Sequence, residues 1–275
     1  MLAQDRVSIA FNVNANDAKI RDNRVVRFLH FGVLNGGGHL ILGNHFFQGD
    51  SATSGIRRAG LVFTQTNPRL QFSGNYIDNC FVEWSNEHDA FPAFTGGFGF
   101  GGLSIVGNHF FASDVAPWFR WLVISPKGSG QFVHGLSVSD NTFRTLGGSI
   151  DRAEGVDTTN GTLDYSRFRN ITFDANSFNG VDQIAMNPLV ILHTQNSAAD
   201  TWVVDGGGFM PFGSRARNTT SIVADGAIIN SSGAAQYVMP YAVNEQGTNR
   251  DQVNLRWPTP VRGKALLTIR CDNPT

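Results

Sequence analysis

Six copies of one short pattern constrain what this chain can fold into. Each copy has an apolar residue three positions before an asparagine and another apolar residue two positions after it. The clearest copy is residues 136–143, and successive asparagines stand 21, 31, 33, 33 and 35 residues apart. The asparagines are Asn23, Asn44, Asn75, Asn108, Asn141 and Asn176. A repeat of this length predicts a stacked fold in which each unit contacts mainly its neighbours.

The apolar positions around each asparagine alternate with a period of two, which is typical of strands. Asparagine tolerates a left-handed backbone, so we expect a sharp bend at each of these residues. Stacked coils would place the asparagine amides about 4.8 Å apart, close enough for an asparagine ladder. Phenylalanine stands two positions after the asparagine in four copies, and these rings are expected to stack inside: Phe46, Phe110, Phe143 and Phe178. An asparagine before a phenylalanine is also common in loops, but six copies in register argue against that alternative.

An asparagine ladder at a tight turn with an internal aromatic stack resembles the right-handed parallel β-helix superfamily. That superfamily includes pectate lyases, polygalacturonase-related proteins and phage tailspikes, and the resemblance covers residues 7–192. It implies an all-β, right-handed parallel β-helix with three strands per coil. Recurring apolar segments between the asparagines are the expected third strands: 61–63, 81–84, 122–124 and 189–192.

The repeat pattern stops at about residue 200, where spaced strand-like segments with turns between them begin. We therefore predict a parallel β-helix over residues 1–200 and a small antiparallel β-sandwich over residues 201–275. This two-part plan resembles a phage tailspike or fibre, and the resemblance implies that the second domain caps the helix and helps three chains assemble. Because residues 7–13 already look like a strand, we expect that the segment was cut at its N-terminal end from a longer protein.

Charge and hydropathy exclude two classes of partner. The formal net charge is −1, so no basic surface favours nucleic acid. No apolar run of about 18 residues exists, so no membrane insertion is predicted. The N-terminus carries no signal-peptide pattern. The resemblance implies a location outside the cell or on the surface of a virion-like particle.

The sharpest chemical cluster lies in residues 83–89, which leave a predicted third strand and enter a long loop. Carboxylates act as acid and base or hold sugar hydroxyls, and aromatic rings pack on sugar faces. We therefore predict the carboxylates as catalytic residues and the rings as substrate-binding residues: Glu83, Glu87 and Asp89, with Trp84 and His88. The alternative is a solvated polar loop in which Trp84 packs inward.

Further substrate-binding candidates lie on the loops before and after this cluster: Arg57, Arg58, Asp114, Trp118 and Arg120. Arginine suits bidentate recognition of acidic sugars. For Arg57 and Arg58 the alternative is that they form plain ion pairs with the carboxylates of this cluster. The carboxylates of residues 151–157 are interpreted as a solvated loop. The histidines have no metal-ligand spacing, so no metal or cofactor is predicted, and no set of aspartates matches the calcium site of pectate lyases.

The catalytic tripeptides of polygalacturonases are missing, since the chain contains no Asn-Thr-Asp and no Gly-His-Gly. The first hypothesis is therefore recognition of a cell-surface polysaccharide by a phage-type tail spike or fibre module, acting as a homotrimer. The second is a polysaccharide-degrading enzyme, a lyase or a glycoside hydrolase. A purely structural or adhesive role is the third. Fold resemblance alone does not choose among them.

Overall fold

A computed structural model describes residue 1 and residues 7–48, 59–87, 97–113 and 116–273. Within these ranges the regular secondary structure is β-strand, apart from 3₁₀ conformation at Glu87 and in the turns Tyr165–Arg167, Gly207–Phe209 and Pro211–Gly213. The all-β prediction is confirmed. The chain forms two compact units, Met1–Ala185 and Met186–Thr275, whereas the sequence placed the boundary after residue 200. None of the described residues belongs to a helix long and apolar enough to cross a membrane.

Three parallel sheets make up the first unit, and the chain visits them in turn. Sheet 1 contains, in spatial order, Ile9–Asn14, His30–Asn35, Ala59–Phe63, Phe81–Ser85, Leu122–Ser125 and Glu154–Val156. Sheet 2 contains Lys19–Arg21, Leu40–Leu42, Leu70–Ser73, Gly99–Val106 and Gly128–Ser139, the last of which pairs with both Gly161–Leu163 and Arg169–Asp174. Sheet 3 contains Arg24–Val26, His45–Phe47, Tyr76–Asp78, His109–Ser113, Thr142–Leu146 and Ser177–Asn179. A separate parallel pair joins Ile150–Arg152 to Val181–Gln183.

Part of the core of this unit is a run of three stacked aromatic rings from sheet 3, whereas Phe46 is separated from that run by Ile77 and stacks on Phe31 instead. Phe110 lies opposite Phe143, and Phe143 lies opposite Phe178 in the parallel register. Their ring centroids are 4.8 Å and 5.3 Å apart, with nearly parallel planes. Parallel pairing in register places the same position of each repeat one strand spacing from the next, so the rings meet face to face.

The six repeat asparagines form a continuous hydrogen-bonded row. Each side-chain nitrogen donates to the side-chain oxygen of the next asparagine, at 2.9–3.1 Å from Asn23 through Asn176. The same oxygen also accepts the backbone N–H of the preceding asparagine, as between Asn75 and Asn108 at 2.9 Å. Four of the six side chains are fully buried, so this pairing satisfies polar groups that water cannot reach.

The prediction that the asparagines themselves adopt the left-handed backbone is wrong. The positive φ falls one residue earlier in every copy, at Asp22, Gly43, Gly74, Gly107, Asp140 and Ala175. Each asparagine amide must point along the stack to reach the next asparagine. The residue before it therefore adopts the left-handed backbone conformation that bends the chain. Glycine occupies this position in three copies because it has no Cβ to oppose a φ of 64–66°.

The second unit is built around one long strand, Gln252–Arg270, which pairs antiparallel with each of the four remaining strands of its sheet. Those partners are Leu189–Asp205, Asn218–Ala224, Ile229–Asn230 and Tyr241–Gln246. The prediction that residues 189–192 are a third strand of a coil is therefore wrong, since they begin an antiparallel strand. These strands are hydrogen-bonded into a single sheet. Its buried centre includes Trp202 and Trp257, whose ring centroids are 4.6 Å apart.

Candidate functional site

Glu83 occupies the middle of a strand in sheet 1 and lies between Val62 and Val123 of the neighbouring strands. Its chain neighbours Val82 and Trp84 are both buried. Because side chains alternate along a strand, the Glu83 carboxyl must lie on the outer face of the sheet. Glu83 is therefore on a face of the sheet that can meet a ligand, and its catalytic role stays a prediction.

Trp84 cannot perform the sugar-stacking role predicted for it. Its side chain is 4 % exposed and its ring lies 5.3 Å from that of Phe100, edge to face. The indole N–H donates to the backbone oxygen of Gln65 at 3.1 Å. Both the ring face and the donor are thus used inside the protein, as the inward-packing alternative expected.

Glu87 and Lys127 form an ion pair of 2.5 Å just beyond the C-terminal ends of two adjacent strands of sheet 1. Asn86 holds the two segments together, because its side-chain oxygen accepts the Lys127 N–H at 2.7 Å. The Asn86 amide in turn donates to the Lys127 backbone oxygen at 3.1 Å. The fully buried Asn86 therefore sets the distance between the carboxylate and the ammonium group.

Asp157 follows the next strand of the same sheet, and its backbone N–H donates to the oxygen of Ile124 at 2.8 Å. Its carboxylate accepts the hydroxyl of Thr159 at 2.6 Å and the backbone N–H of Thr159 at 3.0 Å. These bonds, with a further one from Ser125, hold the pKa of Asp157 below its usual value against a smaller opposing effect of burial. Asp157 therefore stays ionised under mildly acidic conditions.

The pKa of Glu83 is shifted in the opposite direction. Burial raises it, and the negative charges of Glu87 and Asp157 raise it further, while Lys127 lowers it. We call Glu83, Glu87, Asp157 and Lys127 the carboxylate cluster. It combines a carboxyl group whose pKa is raised with one whose pKa is lowered.

Two members of the cluster were not predicted as site residues. Lys127 lies 40 residues from Glu87 in the chain, and Asp157 was interpreted as part of a solvated loop. Parallel pairing brings them together, because Leu122–Ser125 and Glu154–Val156 are the next strands of sheet 1 after Phe81–Ser85. The signal that could have found them is the polar residue that follows each of these strands within two positions.

Arg120 and Trp118 lie before the strand Leu122–Ser125. Arg120 forms an ion pair with Asp151 at 3.0 Å and donates to the backbone oxygen of Phe119 at 2.8 Å. The Arg120 guanidinium group is thus engaged within the protein, although the sequence predicted it as a substrate-binding group. Trp118 is 52 % exposed, so its ring is available to a ligand.

The other predicted site residues lie outside the described residues: Arg57, Arg58, His88, Asp89 and Asp114. Within the described ranges, no group of three histidine, cysteine, aspartate or glutamate side chains is arranged to hold a metal ion. No protein-family model matches the chain, and neither a curated protein nor a solved structure matches it.

The electrostatics of the cluster can be measured directly by ¹³C NMR titration of the glutamate carboxyl carbons. We expect Glu87→Gln to lower the pKa of Glu83, because a negative charge is removed, and Lys127→Met to raise it. Asp140→Asn, on an exposed turn, is the matched control and should leave the pKa of Glu83 unchanged.

The folded state binds the proton of the Glu83 carboxyl group more tightly than the unfolded chain does. The stabilising contribution of Glu83 is therefore present at acid pH and is lost as the pH rises through its raised pKa.

Proposed function

We propose that the first unit is a right-handed parallel β-helix with three strands per coil and an asparagine ladder, and that its sheet 1 recognises a polysaccharide. The cyclic order of the three sheets supports the three-strand coil. The head-to-tail asparagine bonds support the ladder. Right-handedness follows from the strong preference of parallel crossover connections for that hand.

The observation that carries the functional proposal is the carboxylate cluster at the ends of adjacent strands. Three carboxyl groups and an ammonium group on a rigid sheet offer acceptors and donors at fixed spacing, which suits the hydroxyl groups of a sugar chain. Parallel strands repeat about every 4.8 Å, so polar residues on successive strands can contact successive parts of one extended ligand. This arrangement favours a phage-type tail spike or fibre module, exposed outside the cell or on a virion-like particle.

A glycan array of bacterial surface polysaccharides tests this proposal. The wild-type chain should bind a defined set of glycans, and the double variant Glu87→Gln/Lys127→Met should lose at least tenfold in affinity for them. Asp140→Asn should bind as the wild type does. Absence of any glycan binding, or unchanged binding by the double variant with an intact fold by circular dichroism, would contradict the proposal.

A homotrimer is the expected assembly. An apolar row on the second unit supports burial between copies of the chain: Leu192 and Val223 both lie opposite Leu266 on the central strand. These side chains are 52 %, 55 % and 39 % exposed, although all three are aliphatic. Such exposed apolar patches commonly mark association surfaces.

We predict that light scattering will give three times the mass of the chain and that Leu192→Asp will give a single chain mass. A charge placed in an apolar contact must be desolvated without a partner, which opposes association. Leu146→Asp, at an exposed leucine of the first unit, is the matched control and should leave the mass unchanged. A monomeric wild-type chain would refute the trimer but not glycan recognition.

Glycoside hydrolysis is the second candidate, because the pKa values of Glu83 and Asp157 are displaced in opposite directions. Such a pair is the arrangement that general acid–base chemistry requires. In this candidate mechanism Glu83 protonates the glycosidic oxygen as the bond to the sugar carbon breaks. Asp157 then either activates the attacking water or forms the bond to that carbon itself.

If the protein hydrolyses a glycan, Glu83→Gln should reduce kcat by about 100-fold while glycan affinity stays within a factor of about three. The pH–rate profile of the wild type should be broad. Activity should fall at low pH only where Asp157 takes up a proton, and at high pH where Glu83 loses its own. A reducing-sugar assay measures both. Unchanged kcat in Glu83→Gln would exclude this residue as the acid.

A further inference from the structure

A cavity of about 420 Å³ lies in the second unit, within the size range of small-ligand sites. Three of its lining residues form one cross-strand row, since Arg256 lies opposite Thr201 on one side and opposite Tyr241 on the other. Side chains directly opposite each other in an antiparallel sheet are neighbours on the same face. A hydroxyl, a guanidinium group and a phenol ring are thus presented together at this cavity.

The guanidinium group of Arg256 is held in place but forms no ion pair with a described residue. Its Nη1 donates to the Thr201 hydroxyl at 2.6 Å, and that hydroxyl donates to the carboxylate of Asp200 at 3.1 Å. In the described part of this unit the ion pairs are made by other arginines, Arg217, Arg250 and Arg270. Arg256 therefore retains donors and a full positive charge for an external anion.

Part of the remaining lining of the cavity is apolar. The ring of Tyr241 is 68 % exposed and the side chain of Met239 is 61 % exposed, so both can pack against a ligand. Trp257 also lines the cavity, and its buried indole N–H has no acceptor among the described residues. A ligand with an apolar face on one side and an anionic group on the other matches this division.

We propose that this cavity binds one acidic sugar residue, a pyranose that carries a carboxylate. The carboxylate pairs with Arg256, the apolar face of the ring packs on Tyr241, and Asp200 accepts a hydroxyl of the sugar. Each contact uses a group that the fold leaves available on the lining. The proposal goes beyond the carboxylate cluster of the first unit and does not rest on it.

Ligand-observed NMR on the full chain tests this site with two probes, methyl β-D-glucuronide and methyl β-D-glucoside. They differ only at C6, which is a carboxylate in the glucuronide and a hydroxymethyl group in the glucoside. We expect the glucuronide to bind with a Kd of about 1 mM, as a ligand of this size allows. The glucoside should bind at least tenfold more weakly, because it cannot make the charge-assisted bonds. Benzoate, which has a carboxylate but no hydroxyl groups, should also bind at least tenfold more weakly.

Variants locate the binding in the cavity. Arg256→Gln should remove the preference for the glucuronide, and Tyr241→Ala should weaken both sugars at least fivefold. The matched controls are Tyr237→Ala, at a tyrosine that is 96 % exposed and does not line the cavity, and Arg262→Gln on the same central strand. Four outcomes would each overturn the proposal: equal binding of the two sugars, benzoate binding as tight as that of the glucuronide, no binding of any probe, or full binding by a folded Tyr241→Ala. The double variant Glu87→Gln/Lys127→Met should keep this site, so loss of glycan recognition in the first unit can be told apart from loss here.

Discussion

Replacing Asn108 with alanine will lower the free energy of unfolding by about 4 kcal/mol. The Asn108 amide donates to the backbone oxygen of Phe72 and to the side chain of Asn141, each at 2.9 Å. Its side-chain oxygen accepts the backbone N–H of Asn75 at 2.9 Å. Alanine leaves these buried groups without their partner, and each such group costs about 1–3 kcal/mol. Urea denaturation followed by circular dichroism measures the loss.

The matched control is Asn23→Ala at the end of the same row. The Asn23 side chain donates to Asn44 at 3.1 Å, but its own oxygen accepts no hydrogen bond from a described residue. It is also only partly buried. We expect a loss of about 1 kcal/mol at this position. Equal losses at Asn23 and Asn108 would show that the row does not act as a buried network.

Replacing Arg152 with methionine will cost about 4 kcal/mol. Glu154 points into the core of the first unit, where its side chain is 0 % exposed. Two nitrogens of Arg152 donate to the same Glu154 oxygen, at 2.8 Å and 2.5 Å. Methionine keeps the apolar stem but removes a positive charge that pairs directly with this buried carboxylate. The loss in thermal or urea stability should shrink at acid pH, where the carboxyl group can take up a proton.

Two comparisons make this prediction specific. Adding Glu154→Gln to Arg152→Met should recover more than half of the lost stability, since the buried negative charge is then removed as well. Arg120→Met breaks an ion pair whose Asp151 side chain is 57 % exposed, and it should cost no more than about 1 kcal/mol. Similar losses for Arg152→Met and Arg120→Met would mean that burial does not govern the strength of these pairs.

Much of the fold of the first unit could be predicted from the asparagine-centred repeats. The period-two pattern correctly indicated strands, because it depends on residues close together in the chain. The recurrence of that pattern along the chain indicated parallel stacking. The position of the left-handed residue was misplaced by one. That choice depends on where the asparagine amide must point to meet the asparagine of the next repeat, which is not visible within one repeat.

The candidate site could be predicted only in part. Glu83 and Glu87 were recognised because they lie near each other in the sequence, within one strand and the segment that follows it. Lys127 and Asp157 were missed because loops of different length separate the strands that carry them. Trp84 was assigned to the surface because the pattern of the cluster suggested sugar binding, whereas strand alternation places its ring inside.

Local periodicity by itself therefore determined the all-β class and the strands around each asparagine, since side-chain direction in a strand depends only on position along it. Tertiary structure decided which charged groups meet. The charge of Asp157 raises the pKa of Glu83 because parallel pairing brings strands that are distant in the chain together. Arg256 lies between Thr201 and Tyr241 because one long strand pairs with a strand on each of its edges. Such contacts depend on sheet register and loop length together, and no short stretch of sequence contains either.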